Sequence, residues 1–473
     1  MIPPALADAI QAAADWLFIP WFAGGGRGGG ALLFVLLGSG VFLTLRHRVV
    51  QIARFPEAVR EFFARQQPDG VGAISPFQAF MTALGATIGT GNIAGVAAAI
   101  ISGGPGALFW IWCYGFFATA IKFTEAVLGV TWREVGDSEV RSGPMYYLRD
   151  GLKSPALAWI YAVVAGVAAL TTTPFTQPNS MAVVLKSEFA MPTWLSGVII
   201  AVLTWLVIIG GIKSIGRAAE KLTPVKVGLY LAGDLIVIVV FASRIPPVLA
   251  LVFREAFSLR ATAGGTAATL IAMRYGVARG LYANEAGYGT AAVAYGTART
   301  KRPEQQGLNA VMEVFVVSFV TCTISAMTIL LTGAYLSGAQ STAAVAAAFN
   351  AAIPTVGGWM VAVSAFLFGY MTLIGWSYYG EQFLEYFLGP RIRIPYRWIY
   401  CLLIPFGAVA KVSLVWAWGD LMNALQVFPN IVGVIGLSGV AAAVAQRGGA
   451  GQRAENPSNP SNPSNPSKPK VAN

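Results

Sequence analysis

Charge is what this chain has least of. Only 11% of its 473 residues are Asp, Glu, Lys or Arg, against about a quarter in a soluble domain. That shortage argues against a soluble enzyme or binding module. One histidine, His47, and three cysteines, Cys113, Cys322 and Cys401, are too few and too scattered for a His/Cys metal centre or a disulfide framework. The cysteines lie in apolar segments, where they read as small structural residues. His47 stands in Arg46-His47-Arg48, a helix-end charge cluster rather than a pH sensor. Met1 to Ala14 holds no Lys or Arg, so the positive start of a signal peptide is missing. Neither a Walker-type phosphate loop nor a nucleophile–base pair can be read. The chain is therefore not expected to be an enzyme, and no cofactor is implied.

Hydrophobic residues make up 56% of the chain, and mean hydropathy is +0.63. Apolar blocks recur along its whole length, which predicts an all-α polytopic membrane protein in a lipid bilayer. About eleven spans fit, placed near 30–48, 75–103, 107–130, 155–173, 193–212, 225–243, 265–295, 307–334, 356–383, 398–417 and 428–446. The net charge of +11 is no nucleic-acid signal, because its distribution alternates from loop to loop. One set of loops carries Arg46 to Arg65, Arg133 to Lys153, Lys213 to Lys226, Arg299 to Arg302 and Arg391 to Arg397. By the positive-inside rule those loops and the C-terminus are cytoplasmic and the N-terminus is outside.

The organisation follows. Residues 1–29 read as an interfacial segment ending in a glycine run, and 30–74 as an accessory span with its cytoplasmic connection. Residues 75–446 form the core. The Asn-Pro-Ser repeats of 447–473 cannot bury a core and read as a disordered tail.

Two glycine-broken segments stand out inside the core. The first is Gly89-Thr90-Gly91-Asn92, in span two; the second is Gly280 to Gly289, in span seven. A backbone opened in lipid needs a new partner for every freed N–H and C=O, and this is tolerated where it lines a binding cavity. The breaks lie five spans apart, an odd offset that gives two five-helix repeats of opposite orientation, about 75–243 and 265–446. Inverted five-helix repeats, each with a broken first helix, describe the leucine-transporter (LeuT) type of fold.

At the first break, free amides at the start of a half-helix suit a carboxylate. Carbonyls of Gly85 and Ile88, at the end of the preceding half-helix, suit Na⁺. The bland alternative is close helix packing through small residues. The second break puts Asn284 and Glu285 at membrane depth. Glu285 is a proton carrier, a cation ligand or a gate strut paired with Arg279 or Lys122. With a basic neighbour it stays ionised, which favours the strut. In span nine Thr372 and Trp376 share a helix face, where a hydroxyl and an indole can hold an ammonium group. The aromatic residues around them also fit an interfacial belt. Glu313, Asp420 and Lys411 have no partner legible in the sequence.

These segments resemble the alanine-or-glycine:cation symporter family. The resemblance is carried by Gly89 to Val96, Gly103 to Ala107, Ala118 to Glu125, Gly143 to Tyr147, Gln177 to Ser180, Arg279 to Gly287 and Gly375 to Glu381. It implies a LeuT-type fold and Na⁺-driven, sometimes H⁺-driven, uptake of alanine or glycine. It further implies substrate binding by Gly89, Thr90, Gly91, Asn92, Tyr282, Ala286, Thr372 and Trp376, with sodium between Gly85, Ile88 and Thr372. Three departures matter. Val317-Ser318 replaces a frequent Asp-Thr. Tyr282 replaces a frequent Phe. Ala283 lacks a hydroxyl, which disfavours a second sodium. Two rival functions stay open, a proton-coupled transporter using Glu285 and a transporter-like nutrient receptor.

Overall fold

An apolar chain in lipid can satisfy its backbone only internally, and this one does so as helix. The computed structural model describes residues 4–18, 30–63, 68–136, 140–259 and 268–447. The tail after 447 and the glycine run at 24–29 lie outside the described residues.

Helix α1 (Pro4–Phe18) rests on later helices through Ile10, Ala14, Leu17 and Phe18. It is followed by α2 (Ala31–Arg46) and the short amphipathic α3 (Phe55–Phe63). Next comes a bent pair. Helix α4 (Pro76–Thr87) meets α5 (Ala94–Gly103) through one turn at Thr90–Asn92, with a bend of 55°. Helices α6 (Ala107–Thr131), α7 (Pro155–Thr171), α8 (Thr173–Phe189), α9 (Thr193–Ile208) and α10 (Gly211–Val240) complete the first half. After α11 (Ile245–Ala256) the second half opens on a second interrupted pair, α12 (Ala268–Asn284) and α13 (Thr290–Gly296). It continues through α14 (Pro303–Thr332), α15 (Ser341–Ala352), α16 (Val356–Leu388), α17 (Arg393–Val409), α18 (Val412–Gly436) and α19 (Ser438–Arg447).

Among the described residues five helices are long and apolar enough to cross a membrane, or seven with two bent pairs counted as spans. Helices α2, α9 and α15 are apolar but shorter. Length and apolarity thus account for fewer crossings than the eleven expected.

Two expected boundaries are corrected. Span four does not end near 173, because the helix resumes at once as α8 and reaches Phe189. Pro174 stands in the first turn of α8, where its missing N–H costs nothing, and Pro178 is accommodated inside. The last span is not 428–446. Helix α18 covers Val412–Gly436, and the chain then bends by 54° into α19. Within that helix the charge of Asp420 is neutralised by Arg279, 2.6 Å away.

The opposite orientation of the two broken pairs is visible where their ends meet. The chain entering α4 bonds to the chain leaving α13, with a parallel bridge at Ile74–Ala298. Ala73 N–H donates to Thr297 O and Arg299 N–H to Ile74 O, both at 2.8 Å. The start of one broken pair therefore lies beside the end of the other, and because α4 and α13 also pack against each other the two run antiparallel. Arg133 seals this junction. Its guanidinium donates to the carbonyls of Gly296, Ala298, Val71 and Thr300 at 2.5–2.8 Å. Burial lowers its pKa to about 10, so it stays a cation. By loop position Arg133 counts as an orientation charge; in the fold it is a buried clamp.

Candidate functional site at the two helix breaks

Helix α4 stops at Ile88, and its terminal carbonyls need partners. Each has one. Leu84 O accepts from Ile88 N–H, and Thr87 O from Gly89 N–H, both at 2.9 Å. Ala86 O accepts from the Thr372 hydroxyl at 2.7 Å. Gly85 O and Ile88 O accept from the Lys226 ammonium at 2.7 and 2.6 Å. This corrects the expected sodium site. The oxygen pair assigned to Na⁺ holds a lysine, and the Thr372 proton is committed to Ala86. Lys226 itself, expected in a basic loop, is fully buried on α10.

Beyond the break, Gln177 of α8 caps the new turn. Its Oε1 accepts from both Thr90 N–H and the Thr90 hydroxyl at 2.9 Å. Gly89 is required by close approach, since a Cβ there would lie 2.5 Å from Thr372 Oγ1 and 3.0 Å from Gln177 Oε1. Asn92 turns its side chain the other way, donating to Thr321 Oγ1 at 3.2 Å on α14.

The second break is built differently. The ammonium of Lys122, on α6, donates to Asn284 O at 2.6 Å, to Glu313 Oε1 at 2.7 Å and to Thr87 Oγ1 at 3.1 Å. Asn284 shapes the turn, its Oδ1 accepting from Ala286 N–H at 3.0 Å and its Nδ2 donating to Ser318 Oγ at 3.2 Å. Ser318 is one of the residues that depart from the family pattern. Glu285 has φ 57°, a left-handed conformation uncommon outside glycine. Gly287 and Gly289 follow with φ 102° and 83°. Their amides donate to Oε1 of the buried Glu125 at 3.0 and 3.1 Å, joined by Asn430 Nδ2 at 2.6 Å. A carboxylate thus sits at the positive start of the half-helix α13.

Glu285 does not pair with Arg279 or Lys122, which corrects the expected strut. Arg279 forms a two-pronged pair with Asp420 at 2.9 and 2.6 Å, and Lys122 pairs with Glu313. Glu285 Oε1 accepts instead from the Trp376 indole at 2.6 Å, and Oε2 from the Thr290 hydroxyl at 2.8 Å.

Around the breaks lies a narrow cavity, with room for no more than about one water molecule, lined by Thr87, Gly89, Gly91, Gln177, Tyr282, Glu285, Thr372 and Trp376, with Thr173, Tyr288 and Asn423 completing its wall. It is far smaller than a small-molecule pocket, so its wall must open to admit an amino acid. Of the residues the sequence proposed for substrate, Gly89, Gly91, Tyr282, Thr372 and Trp376 come together here. Thr90, Asn92 and Ala286 stand behind the wall, with Ala286 O accepting from Tyr114 OH at 2.8 Å. Tyr282 donates its hydroxyl to Thr176 Oγ1 at 2.8 Å and lies against Trp416, ring centroids 4.9 Å apart. Above them a second cavity, lined by Arg274, Arg279, Trp416 and Asp420, lies on the far side of the ion pair.

Sequence reasoning missed Gln177, Lys226, Glu125 and Asn430. Gln177 sat in a segment already tied to the family, Gln177 to Ser180, but between the expected spans 155–173 and 193–212. Lys226 carried a signal that went unused, as a lysine followed by a long apolar run.

A two-break architecture of this kind has counterparts. The family model for the sodium:alanine symporters matches residues 26–459. The chain belongs to the sodium:alanine symporter family. The sodium/alanine symporter AgcS of Methanococcus maripaludis is 40% identical over 417 residues, 85% of this chain and 90% of that protein. A Bacillus subtilis relative named Probable sodium/glutamine symporter GlnT is 33% identical, covering 85% of this chain and 84% of its own. The crystal structure of MhsT with L-phenylalanine superposes with a TM-score of 0.54 at 12% identity, over 78% of this chain and 99% of that one. That likeness concerns the fold, which is the LeuT type. Like other members of that family, the chain is a multi-pass membrane transporter and not an enzyme.

Proposed function

We propose that this family member uses the sodium gradient to import small neutral amino acids, alanine and glycine, by alternating access. The observation that carries the reading is the narrow, polar-lined cavity at the meeting point of both helix breaks. It offers a zwitterion complementary ends. The positive start of the half-helix after the first break lies against the cavity at Gly89 and Gly91 and suits the carboxylate. Glu285 and the Thr372 hydroxyl suit the ammonium group. Tyr282 and Trp376 stand in the wall where they would bound the side chain and exclude a large one. The name of the archaeal relative agrees with alanine. The name of the glutamine relative does not, so the choice of alanine rests on the narrowness of the cavity.

The two repeats, about 75–243 and 265–446, would rock against each other around this site. The basic loops would face the cytoplasm, with the N-terminus outside, in the cytoplasmic membrane of a bacterium or archaeon.

A second reading is favoured by one observation. Among the described residues no lysine or arginine lies within ion-pairing distance of Glu285, whose oxygens are held by Trp376 and Thr290. With no cation in direct contact and Lys122 acting on it only from a distance, Glu285 is a candidate proton carrier. Purified protein in liposomes separates the two. A Na⁺ gradient at constant pH should accumulate labelled alanine, and Glu285→Gln should leave the coupling ion unchanged. Uptake driven by a pH gradient without Na⁺, and lost in Glu285→Gln, would replace sodium by the proton.

A further inference from the structure

The cage at the end of α4 is complete without a metal ion. Its two oxygens, Gly85 O and Ile88 O, both accept from Lys226 Nζ, and the face of the Phe368 ring lies 5.2 Å from the same nitrogen. Three residues earlier on α10, the Thr223 hydroxyl donates to Met81 O at 3.1 Å. Helix α10 is thereby stitched to the carbonyl row of α4 up to its broken end. The position also has an electrostatic logic. The end of a half-helix carries partial negative charge, and a cation there is favourable, the more so away from water. An ammonium at mid-membrane is otherwise costly and needs such partners. The second break repeats the device, with Lys122 donating to Asn284 O at the end of α12.

We propose that Lys226 is a tethered cation that permanently takes the place of a free monovalent ion in the Gly85–Ile88 cage. The cage therefore binds no sodium in the native protein, and the ion that drives transport binds elsewhere. A free ion would join α4 to α10 only while bound; a tethered one holds them in the absence of sodium as well. Removing the ammonium but not the cage turns it into a site for a free monovalent cation. Lys226→Ala opens that space, whereas Lys226→Met refills it with an uncharged chain of similar length.

The test counts ions rather than uptake, so it does not depend on the substrate reading. Thallium(I), an electron-dense monovalent probe, is soaked into crystals of the native protein, and ²²Na⁺ bound per protein is measured for native, Lys226→Ala and Lys226→Met. The expected result is no thallium peak between Gly85 O and Ile88 O in the native protein. Lys226→Ala should bind one sodium ion more than native, and Lys226→Met none more. Methylammonium should compete for the added site. A native thallium peak at the cage overturns the proposal, as does an unchanged sodium count in folded Lys226→Ala. If Lys226→Ala does not fold, the native thallium map decides alone. Failure of the native protein to take up alanine would count against the proposed function and leave this result untouched.

Discussion

Trp376 donates its indole N–H to Oε1 of Glu285 at 2.6 Å, joining α16 to the second helix break from inside the cavity wall. Glu285 is strained at φ 57° and lies among groups that exclude water. A charge-assisted hydrogen bond of this kind contributes about 1.5–3 kcal/mol. Trp376→Phe keeps an aromatic wall but removes the donor. Alanine affinity, measured by equilibrium binding to the purified protein, should fall roughly 10-fold to 100-fold. Unchanged affinity in the folded variant would mean that the indole only fills space.

The size of the cavity makes a second prediction. Gly89 has no room for a methyl group, and a Cβ at Gly91 would lie 3.0 Å from the Tyr282 ring. Gly89→Ala should abolish alanine binding while the protein still purifies as a folded species. Leucine, which needs three more carbons than alanine, should not displace labelled alanine from the native protein. Competition by leucine at concentrations comparable to alanine would show that the wall moves outward and that the cavity does not set selectivity.

The broken helices and the residues that line them were legible because glycine weakens a helix and a backbone opened in lipid must find partners nearby. The pairing of charges was not. Glu285 was read against Arg279 and Lys122 because both are near it in sequence or depth, yet each is committed to a distant carboxylate, Asp420 and Glu313. A buried charge chooses its partner by three-dimensional reach, and one sequence contains no record of which helices touch. Lys226 failed for a related reason. Hydropathy treats a lysine at the edge of an apolar run as the end of a span, whereas the carbonyls of an interrupted helix can draw it inside. Gln177 was lost because it fell between two expected spans, whereas α8 carries the helix through Pro174 and Pro178.

His47 supplies a pH dependence. It lies at the end of α2, its Nε2 2.9 Å from Thr124 Oγ1 and its ring edge-on to Phe123. Burial, and then the neighbouring Arg46, lower its pKa from 6.5 to about 4. Above pH 6.5 the folded and unfolded states are both neutral at this position, and stability is full. As pH falls below 6.5 the unfolded chain takes up a proton that the folded one refuses, so stability is lost progressively down to about pH 4. The loss can reach about 3 kcal/mol. His47→Gln keeps a partner for Thr124 and cannot titrate. Thermal unfolding in detergent should therefore show a shallower decline between pH 6.5 and 4 for the variant than for the native protein. Parallel curves would place the acid sensitivity on other groups.

Lys122 and Glu313 test how the second break is held. Both side chains are fully buried, 2.7 Å apart, and between them they also engage Asn284 O, Thr87 and Tyr295. Removing one member of such a pair strands the other charge in a low-dielectric interior, at a cost of about 3–5 kcal/mol, whereas replacing both with neutral residues costs far less. Lys122→Met and Glu313→Gln should each lower the unfolding temperature steeply, and the double variant should recover much of the loss. Function should separate from stability. The double variant still lacks the ammonium that holds Asn284 O, so the end of α12 is loosened next to Glu285. It is expected to fold yet bind alanine at least about 10-fold more weakly, the loss of one charged hydrogen bond at the site. Strictly additive destabilisation in the double variant would show that the two groups do not depend on each other, and native alanine affinity in it would show that Lys122 serves the fold alone.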